Sequence, residues 1–290
     1  MPISHQTVYS VRVNAAWPSC KVARISIPLF VWWGVWMGSS AWATAEYEVV
    51  DLGTLGGNAS AALGLNNRGQ VVGWSLDADG RQQAFVWENE AMTGLGFLPG
   101  GTFSTSRAIN DAGQIAGSSA VSSTYLHACL YDGGGMHDLG TLGGPDSYGM
   151  AVNVHGHIAG ISMLTNNTPS PLNPESFWWR SNAFVHISPY YNFSSCNAFG
   201  LNDDGWVCGN TFLWAVDGRW WAFVWADSNG NGQHDSGEMH VLGSMGVNYS
   251  VGSQSSAFDI NGSGQVVGHT SITNTWLPIH AMLVTPSNGQ

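Results

Sequence analysis

One phrase of eight residues occurs five times along the chain, and it constrains the fold more than any other feature of the sequence. The phrase is N-x-x-G-x-φ-x-G, where φ is an apolar residue. Its copies begin at Asn66, Asn110, Asn153, Asn202 and Asn261. Repeats at intervals of about 40 to 60 residues indicate structural units that each bury an apolar face against the next unit.

Each repeat unit contains four short apolar runs, separated by turns rich in Gly, Asn, Asp and Ser. Two further phrases recur within these runs: L-G-T-L-G-G, at 52–57 and 139–144, and A-F-x-W, at 84–87 and 222–225. Short apolar runs between such turns predict antiparallel strands joined by hairpins. Because a four-stranded unit of this length is typical of a propeller blade, the sequence predicts an all-β fold, a five-bladed β-propeller with four-stranded blades.

The two ends of the repeat region carry complementary parts of one unit. The first unit begins at Tyr47 without its opening strand, and a surplus opening strand, 281–284, follows the fifth unit. If this C-terminal strand closes the first blade, the five units form a ring without an exposed strand edge. The alternative is an open β-solenoid that ends in a truncated sixth repeat.

The composition agrees with many strands and turns. Charged residues make up 9% of the chain, whereas they make up about a quarter of an ordinary soluble domain. The formal net charge is −11, which disfavours binding to phosphate backbones and to anionic lipid. We therefore expect a monomer with no nucleic-acid partner, and divalent cations or neutral polymers as more suitable ligands.

The N-terminus resembles a secretory leader. Three basic residues precede an apolar stretch at 25–43, which ends in the small-x-small sequence A-W-A. We predict a signal peptide over 1–45, cleaved after Ala43 or Ala45, and a single secreted or periplasmic domain over 46–290 without membrane contact. The alternative is a retained N-terminal anchor, because the apolar stretch is close to the length that spans a bilayer.

Three cysteines follow the predicted leader: Cys129, Cys196 and Cys208. Export permits a disulfide, and Cys196 with Cys208 would close a short loop. Three cysteines form no disulfide framework, so buried free thiols are an equal alternative.

The fifth unit contains an insertion, 227–238, that matches the calcium-loop pattern D-x-[DN]-x-[DN]-G-x5-E at every specified position. Calcium takes six to eight oxygen ligands, and this spacing supplies them by wrapping the chain, with Gly232 at the sharp turn. The predicted ligands are Asp227, Asn229, Asn231, Gln233, Asp235 and Glu238. The alternative is a solvated Asn-Gly loop without metal.

Tryptophans are concentrated in the fourth and fifth units. Exposed indoles stack on sugar rings, which makes Trp178, Trp214 and Trp220 candidates for glycan binding. The alternative is that these side chains pack between blades.

Catalytic signals are sparse. Asp259 stands where the other units have Gly or Ala, so it is the first candidate for a catalytic carboxylate, with Glu175 and Asp146 as partners from loops. Glycosidases use pairs of carboxylates, and some five-bladed propellers are glycosidases. Because periodicity does not show that these three side chains converge, a polysaccharide-active glycoside hydrolase is the alternative to a binding module.

Three phrases resemble a bacterial extracellular repeat family named for its His-Ala-Phe motif. His-Ala occurs at 127–128 and 280–281, D-L-G-T-L-G-G at 51–57, and I-N-x-x-G-Q-V-V-G at 260–268. The resemblance covers almost all of 47–286 and implies an exported repeat protein. We therefore predict a secreted, calcium-stabilised binding or structural module, with a glycan or an extracellular protein as its partner.

Overall fold

The computed structural model describes residues 22–25, 47–164, 174–188, 195–213, 219–243, 254–271 and 279–286. Contacts divide the chain into two compact units, Met1–Gly53 and Thr54–Gln290. In the first unit, β1 (Val22–Ile25) pairs antiparallel with β2 (Tyr47–Val50). The described residues include no helix that is long and apolar enough to cross a membrane.

The second unit contains five antiparallel sheets, whose strands follow one another in chain order. The first sheet consists of β3 (Gly56–Leu65), β4 (Val71–Asp77), β5 (Gln82–Glu88) and β6 (Ala91–Gly96). The second consists of β7 (Ser104–Ile109), β8 (Ile115–Ala120), β9 (Leu126–Tyr131) and β10 (Met136–Gly140). The third consists of β11 (Gly143–Val152), β12 (Ile158–Leu164), β13 (Pro174–Arg180) and β14 (Ala183–Ile187). The fourth and fifth consist of β15 (Ser195–Leu201), β16 (Val207–Phe212), β17 (Trp220–Trp225) and β18 (Met239–Val241), and of β19 (Ser255–Ile260), β20 (Val266–Ser271) and β21 (Ile279–Val284).

These sheets confirm an all-β fold built from repeated four-stranded antiparallel units. The predicted role of the C-terminal strand is wrong, because β21 pairs with β20 in the fifth sheet while the first sheet has four strands of its own. The A-F-x-W run lies on the third strand of the first and fourth sheets, β5 and β17, where it pairs on both sides with strands of its own sheet. Among the described residues, no strand of the first sheet pairs with a strand of the fifth.

The recurrent phrase forms the turn between the first two strands of each sheet. At Asn110, the side-chain Oδ1 accepts a hydrogen bond from the backbone N–H of Gln114 at 2.9 Å, and the carbonyl accepts one from Gly113 at 3.0 Å. Gly113 has φ +84°, a conformation that favours glycine. The local requirements of this turn explain the N-x-x-G part of the phrase.

The same asparagines join consecutive sheets in a ladder of hydrogen bonds. The Nδ2 of each anchor asparagine donates to the backbone carbonyl of the next anchor. The donor and acceptor pairs are Asn66 to Asn110 (3.0 Å), Asn110 to Asn153 (2.8 Å), Asn153 to Asn202 (3.1 Å) and Asn202 to Asn261 (3.1 Å). Since buried backbone carbonyls need partners, this ladder fixes the position of each sheet on its neighbour.

From the second sheet onward, the first strand of each sheet packs against the preceding sheet. Ser104 on β7 is an example, because its Oγ accepts a hydrogen bond from the N–H of Ala84 at 2.9 Å and donates one to the carbonyl of Gly96 at 2.7 Å. Ser147 and Ser255 form equivalent bonds with their preceding sheets. The recurrent serine is therefore an inter-sheet connector.

Each joint, meaning the contact between two consecutive sheets, contains a cluster of apolar side chains. In every joint a residue from the second strand of one sheet packs in the same cluster as a residue from the second strand of the next. These pairs are Val72 with Ile115, Ala116 with Ile158, Ala159 with Val207, and Cys208 with Val266. The core is thus divided among the joints, as expected for stacked repeats.

The three described cysteines are buried free thiols, which is one of the two alternatives that the sequence left open. Burial raises the pKa of Cys129 and that of Cys208 to about 12. Cys196 replaces the connecting serine of its repeat, and its Sγ accepts a hydrogen bond from the hydroxyl of Ser176 at 3.2 Å. The Cys196 side chain is buried at the same place as the connecting serines of the other repeats, with an apolar sulfur atom in place of the hydroxyl oxygen.

Candidate functional site

The calcium-type loop lies between β17 and β18 and is organised around Asp227. It belongs to the fourth sheet and not to a fifth unit as predicted, because the A-F-x-W run before it is the third strand of its sheet and not the first strand of the next. The Oδ2 of Asp227 accepts hydrogen bonds from the N–H of Gly232 at 2.9 Å and from Nη2 of Arg180 at 3.1 Å. Its side chain is 5% exposed, and its second oxygen, Oδ1, is buried without a hydrogen-bond partner. An unpartnered buried carboxylate oxygen is costly, and a cation is the partner that would satisfy it.

Glu238 joins the end of the loop to its beginning. Its Oε1 accepts a hydrogen bond from the N–H of Ser228 at 2.9 Å, and its Oε2 accepts one from the N–H of Asp235 at 2.9 Å. Glu238 is buried, although it stands in a loop rich in exposed residues. The first and the last predicted ligands are thus both buried carboxylates held by the same short segment.

The middle of the loop is held by side-chain amides. Asn229 and Asn231 donate through Nδ2 to Oδ2 of Asp235, at 2.8 and 2.5 Å, and these bonds lower the pKa of Asp235. The Oδ1 of Asn231 accepts a hydrogen bond from the N–H of Gln233 at 2.7 Å. The amides therefore present nitrogen to Asp235, and they would have to turn to offer oxygen to a cation.

The loop as a whole fits calcium only in part. Within the described ranges, no three His, Cys, Asp or Glu side chains come together as metal ligands do. The donor set is nevertheless all oxygen, and Asp227 Oδ1 lacks a partner. The residues that would hold calcium are those with carboxylates at the two ends of the loop, Asp227 and Glu238, completed by Asp235.

Arg180 is a part of this site that the sequence did not reveal. It lies at the end of β13 in the third sheet, and its guanidinium both pairs with Asp227 and stacks over the indole of Trp178 at 4.4 Å. A guanidinium is a competing positive charge for the same carboxylate. It also connects the loop of the fourth sheet to the third sheet.

Of the three predicted glycan-binding tryptophans, the two that the structure describes, Trp178 and Trp220, are not exposed. Trp178 is 4% exposed and packs against Trp225, with ring centroids 5.6 Å apart, so the prediction of a free indole face is wrong for this residue. Trp220 is half-buried, with its ring 5.3 Å from that of Phe212. Trp214 lies outside the described residues. Trp178 therefore packs between sheets, which is the alternative that the sequence left open.

The three candidate catalytic carboxylates have separate environments. Asp259 is exposed on β19 of the fifth sheet, and its Oδ1 accepts a hydrogen bond from the N–H of Ile260 at 2.9 Å. Asp146 lies on β11 of the third sheet and accepts a hydrogen bond from the N–H of Leu126 at 2.8 Å, which connects it to the second sheet. Glu175 begins β13. The first two therefore have structural partners on different sheets.

Glu175 is the chemically unusual member of this set. Its side chain is 7% exposed, and its Oε2 lies 3.7 Å from Nε2 of His186, with both atoms buried and without hydrogen bonds. Burial raises the pKa of Glu175, and the neighbouring His186 offsets this effect in part. A carboxyl group that keeps its proton above the ordinary range can act as a general acid.

The raised pKa of Glu175 predicts a pH effect on stability. The neutral carboxyl is favoured in the folded state, so its contribution is complete below the ordinary value of 4.5 and is lost as pH rises through the folded pKa. We expect Glu175→Gln to lose less stability than the unchanged protein as pH rises from about 4 to about 8. Thermal unfolding midpoints across this range are the measurement. Glu90→Gln, on an exposed turn, should follow the unchanged protein, and parallel curves for all three proteins would contradict the prediction.

Comparison with known proteins adds little to these observations. No protein-family model and no curated protein matches the chain. Among solved structures, the chain is similar to the crystal structure of TolB from Acinetobacter baumannii, with a TM-score of 0.42 and 13% identity over 62% of this chain. The match spans 43% of that chain, less than half its length. A similarity at this level does not define the class of the protein. Its own sheets do: the protein is an all-β repeat protein of stacked antiparallel sheets.

Proposed function

We propose that this chain is an exported binding or structural module, stabilised by calcium, whose five sheets are the blades of a β-propeller. One observation carries the calcium part of the proposal: Asp227 Oδ1 is a buried carboxylate oxygen without a partner, in a loop that matches the calcium pattern throughout. Export is supported by the leader-like N-terminus and by the resemblance to an extracellular repeat family.

Calcium would act in this loop as a connector. Asp227 and Glu238, at the two ends of the loop between β17 and β18, would supply carboxylate oxygens to the ion, and the ion would supply the positive charge that holds the two ends together. Arg180 brings the third sheet to the same carboxylate. Because two carboxamides replace carboxylates in the pattern, the affinity should be that of extracellular modules, on the order of 10⁻⁴ M.

Calcium is expected to raise the thermal unfolding midpoint of the protein. Saturation at one hundred times Kd corresponds to about 2.7 kcal/mol of added stability. Glu238→Gln should abolish the shift, since it removes charge from the buried end of the loop. Asp204→Asn, an exposed carboxylate in a turn of the same sheet, is the matched control and should keep the shift. An identical midpoint in calcium and in chelator would overturn the calcium site.

The ligand class that we propose is a neutral glycan or another extracellular protein. The acidic charge disfavours polyanions, and two of the candidate catalytic carboxylates, Asp146 and Asp259, lie on different sheets. The burial of Trp178 removes one of the three predicted sugar platforms and leaves Trp220 as the described candidate.

A glycoside hydrolase is the second candidate function, and the raised pKa of Glu175 favours it. The discriminating experiment incubates the protein with soluble polysaccharides in calcium and records retained protein together with released reducing ends. We expect retention without release, in which case Trp220→Ala should weaken retention. Release of reducing ends that Glu175→Gln or Asp259→Asn abolishes, with folding intact, would assign the protein to the hydrolases instead.

A further inference from the structure

The fifth sheet exposes a surface that is buried at every other place in the repeat. Four second-strand residues are fully buried in the joints described above: Val72, Ala116, Ala159 and Cys208. Their equivalent in the fifth sheet, Val267, is 48% exposed. On the third strand, Leu130 and Trp178 are buried and the equivalent Val86 and Val224 are partly buried, whereas the equivalent Leu283 is 63% exposed. The outer face of the fifth sheet therefore carries apolar residues at the positions that contact the next sheet in a joint, but no sheet covers it in the described structure.

The first sheet exposes the opposite half of a joint. The connecting positions of the later sheets are fully buried, at Ser104, Ser147, Cys196 and Ser255, while Ser60 on β3 is exposed. Ile109, Leu201 and Ile260, which precede their anchor asparagines, are buried, and the equivalent Leu65 is 68% exposed. The two ends of the stack thus carry the two halves of one interface, the interface that occurs four times between them.

The asparagine ladder shows the same complementarity in its hydrogen bonds. Each anchor from Asn66 to Asn202 donates to the carbonyl of the next anchor. Asn261, the last anchor, donates through Nδ2 to Oε1 of Gln265 in its own turn, at 2.9 Å. Asn66 and Asn110 make the same bond within their turns in addition to their ladder bonds, so it does not compete with a ladder bond from Asn261. The carbonyl of Asn66 accepts the N–H of Gly69 and receives no donation from a preceding anchor in the described structure. One further bond of the same kind, from Asn261 to Asn66, would complete the ladder.

We propose that the outer face of the fifth sheet docks on the outer face of the first sheet of the same chain. In this fifth joint, Val267 and Leu283 pack against Leu65, and Asn261 donates to the carbonyl of Asn66. This fifth joint would use the same apolar contacts and the same asparagine hydrogen bond as the four joints already present in the structure.

The same chain is the favoured occupant because its two faces are covalently linked. A linked partner has a high effective concentration, which a second copy reaches only in concentrated solution. Exposed apolar side chains such as Leu65 and Leu283 also favour burial, at roughly 25 cal/mol per Å² of apolar surface. The proposal extends the propeller arrangement, and it is independent of the calcium loop.

Cross-linking tests the docking directly. Leu65→Cys and Val267→Cys are combined in the full chain with Cys20→Ser, and the folded protein is treated with a short bismaleimide. The three native buried cysteines react slowly, since burial raises their pKa values. We expect a cross-link within one chain, detected by mass spectrometry of peptides from the monomer. Tyr125→Cys with Val267→Cys is the control pair, and we expect no cross-link from it.

Two results would overturn the proposal. A cross-link between two chains would show that a second copy covers the fifth sheet. Single labelling of both cysteines without a cross-link would show that the stack stays open. The docking rests on the propeller arrangement proposed above, so an open stack would overturn both. Neither result would alter the calcium-dependent midpoint, so failure of the docking is distinguishable from failure of the calcium site.

A second measurement uses the ladder without new cysteines. Asn261→Asp and Asn110→Asp both keep the Oδ1 acceptor that holds the turn and both remove the Nδ2 donor to the glutamine of that turn. Asn110→Asp also removes the ladder bond to the carbonyl of Asn153 inside the stack. If the joint forms, both substitutions lower the thermal midpoint by similar amounts. A clearly smaller drop for Asn261→Asp than for Asn110→Asp would contradict the docking.

Discussion

Replacing Phe177 with alanine is expected to lower the free energy of unfolding by about 3 to 5 kcal/mol. Phe177 is fully buried on β13, at the joint between the second and third sheets. It packs with Ala116, Leu130 and Ile158, and its ring meets that of Phe184 edge to face at 4.8 Å. Because the strands around it are fixed by hydrogen bonds, the joint cannot collapse fully into the cavity.

Urea denaturation of the folded protein measures this loss for Phe177. Tyr125→Ala is the control, since Tyr125 is about half exposed beside a turn and its removal leaves no internal cavity. We expect the control to cost about 1 kcal/mol or less. Equal losses for the two substitutions would contradict the assignment of Phe177 to a tightly packed joint.

Replacing Gly117 with alanine is expected to destabilise the protein by about 3 kcal/mol or to prevent folding, at the upper end of the cost of overpacking. A Cβ at this position would lie well inside 3.0 Å of the backbone carbonyl of Thr105 on the neighbouring strand. That strand has an irregular register between Ser106 and Ala108, opposite the glycine. The obstructing atoms belong to the backbone, so no side-chain rotation relieves the overlap.

Gly262→Ala is the matched control for Gly117→Ala. Gly262 lies in a turn of the fifth sheet, where an added Cβ meets nothing within 4 Å and φ is not in the left-handed region. We expect an unchanged or slightly raised thermal midpoint for Gly262→Ala, because alanine reduces the freedom of the unfolded chain. A midpoint for Gly117→Ala within experimental error of that for Gly262→Ala would refute the close approach.

The last glycine of the recurrent phrase has the same environment in all five sheets. At Gly73, Gly117, Gly160, Gly209 and Gly268, an added Cβ would overlap a carbonyl oxygen of the adjacent strand. The sequence therefore encodes this packing as a repeated glycine. Its recurrence was visible without a structure, but its cause, a cross-strand carbonyl, was not.

Much of the fold could be predicted because the same turn and strand sequence occurs five times along the chain. The turn asparagine, the connecting serine and the glycine each have a local or nearest-neighbour role, so their spacing indicates strands, turns and the number of sheets. The boundaries of the sheets could not be predicted in the same way. A repeat is the same whichever strand is counted first, so each predicted unit began at the wrong strand.

The candidate sites were less predictable. The carboxylates of the calcium-type loop are close in sequence, so Asp227 and Glu238 could be recognised from spacing alone. The pairing of Arg180 with Asp227 joins different sheets and has no sequence signal. The burial of Trp178 depends in the same way on a neighbour from another repeat, Trp225.

The sequence by itself determined the strand-and-turn pattern, the five-fold repetition and the position of the calcium-type loop, because these depend on backbone geometry within a few residues. Only the tertiary structure decided which side chains are buried, which strand begins a sheet, and which charge lies beside Asp227. Those properties depend on atoms brought together across sheets from distant parts of the chain. For the same reason, the exposed faces of the first and fifth sheets became recognisable as two halves of one joint only after the four internal joints were seen.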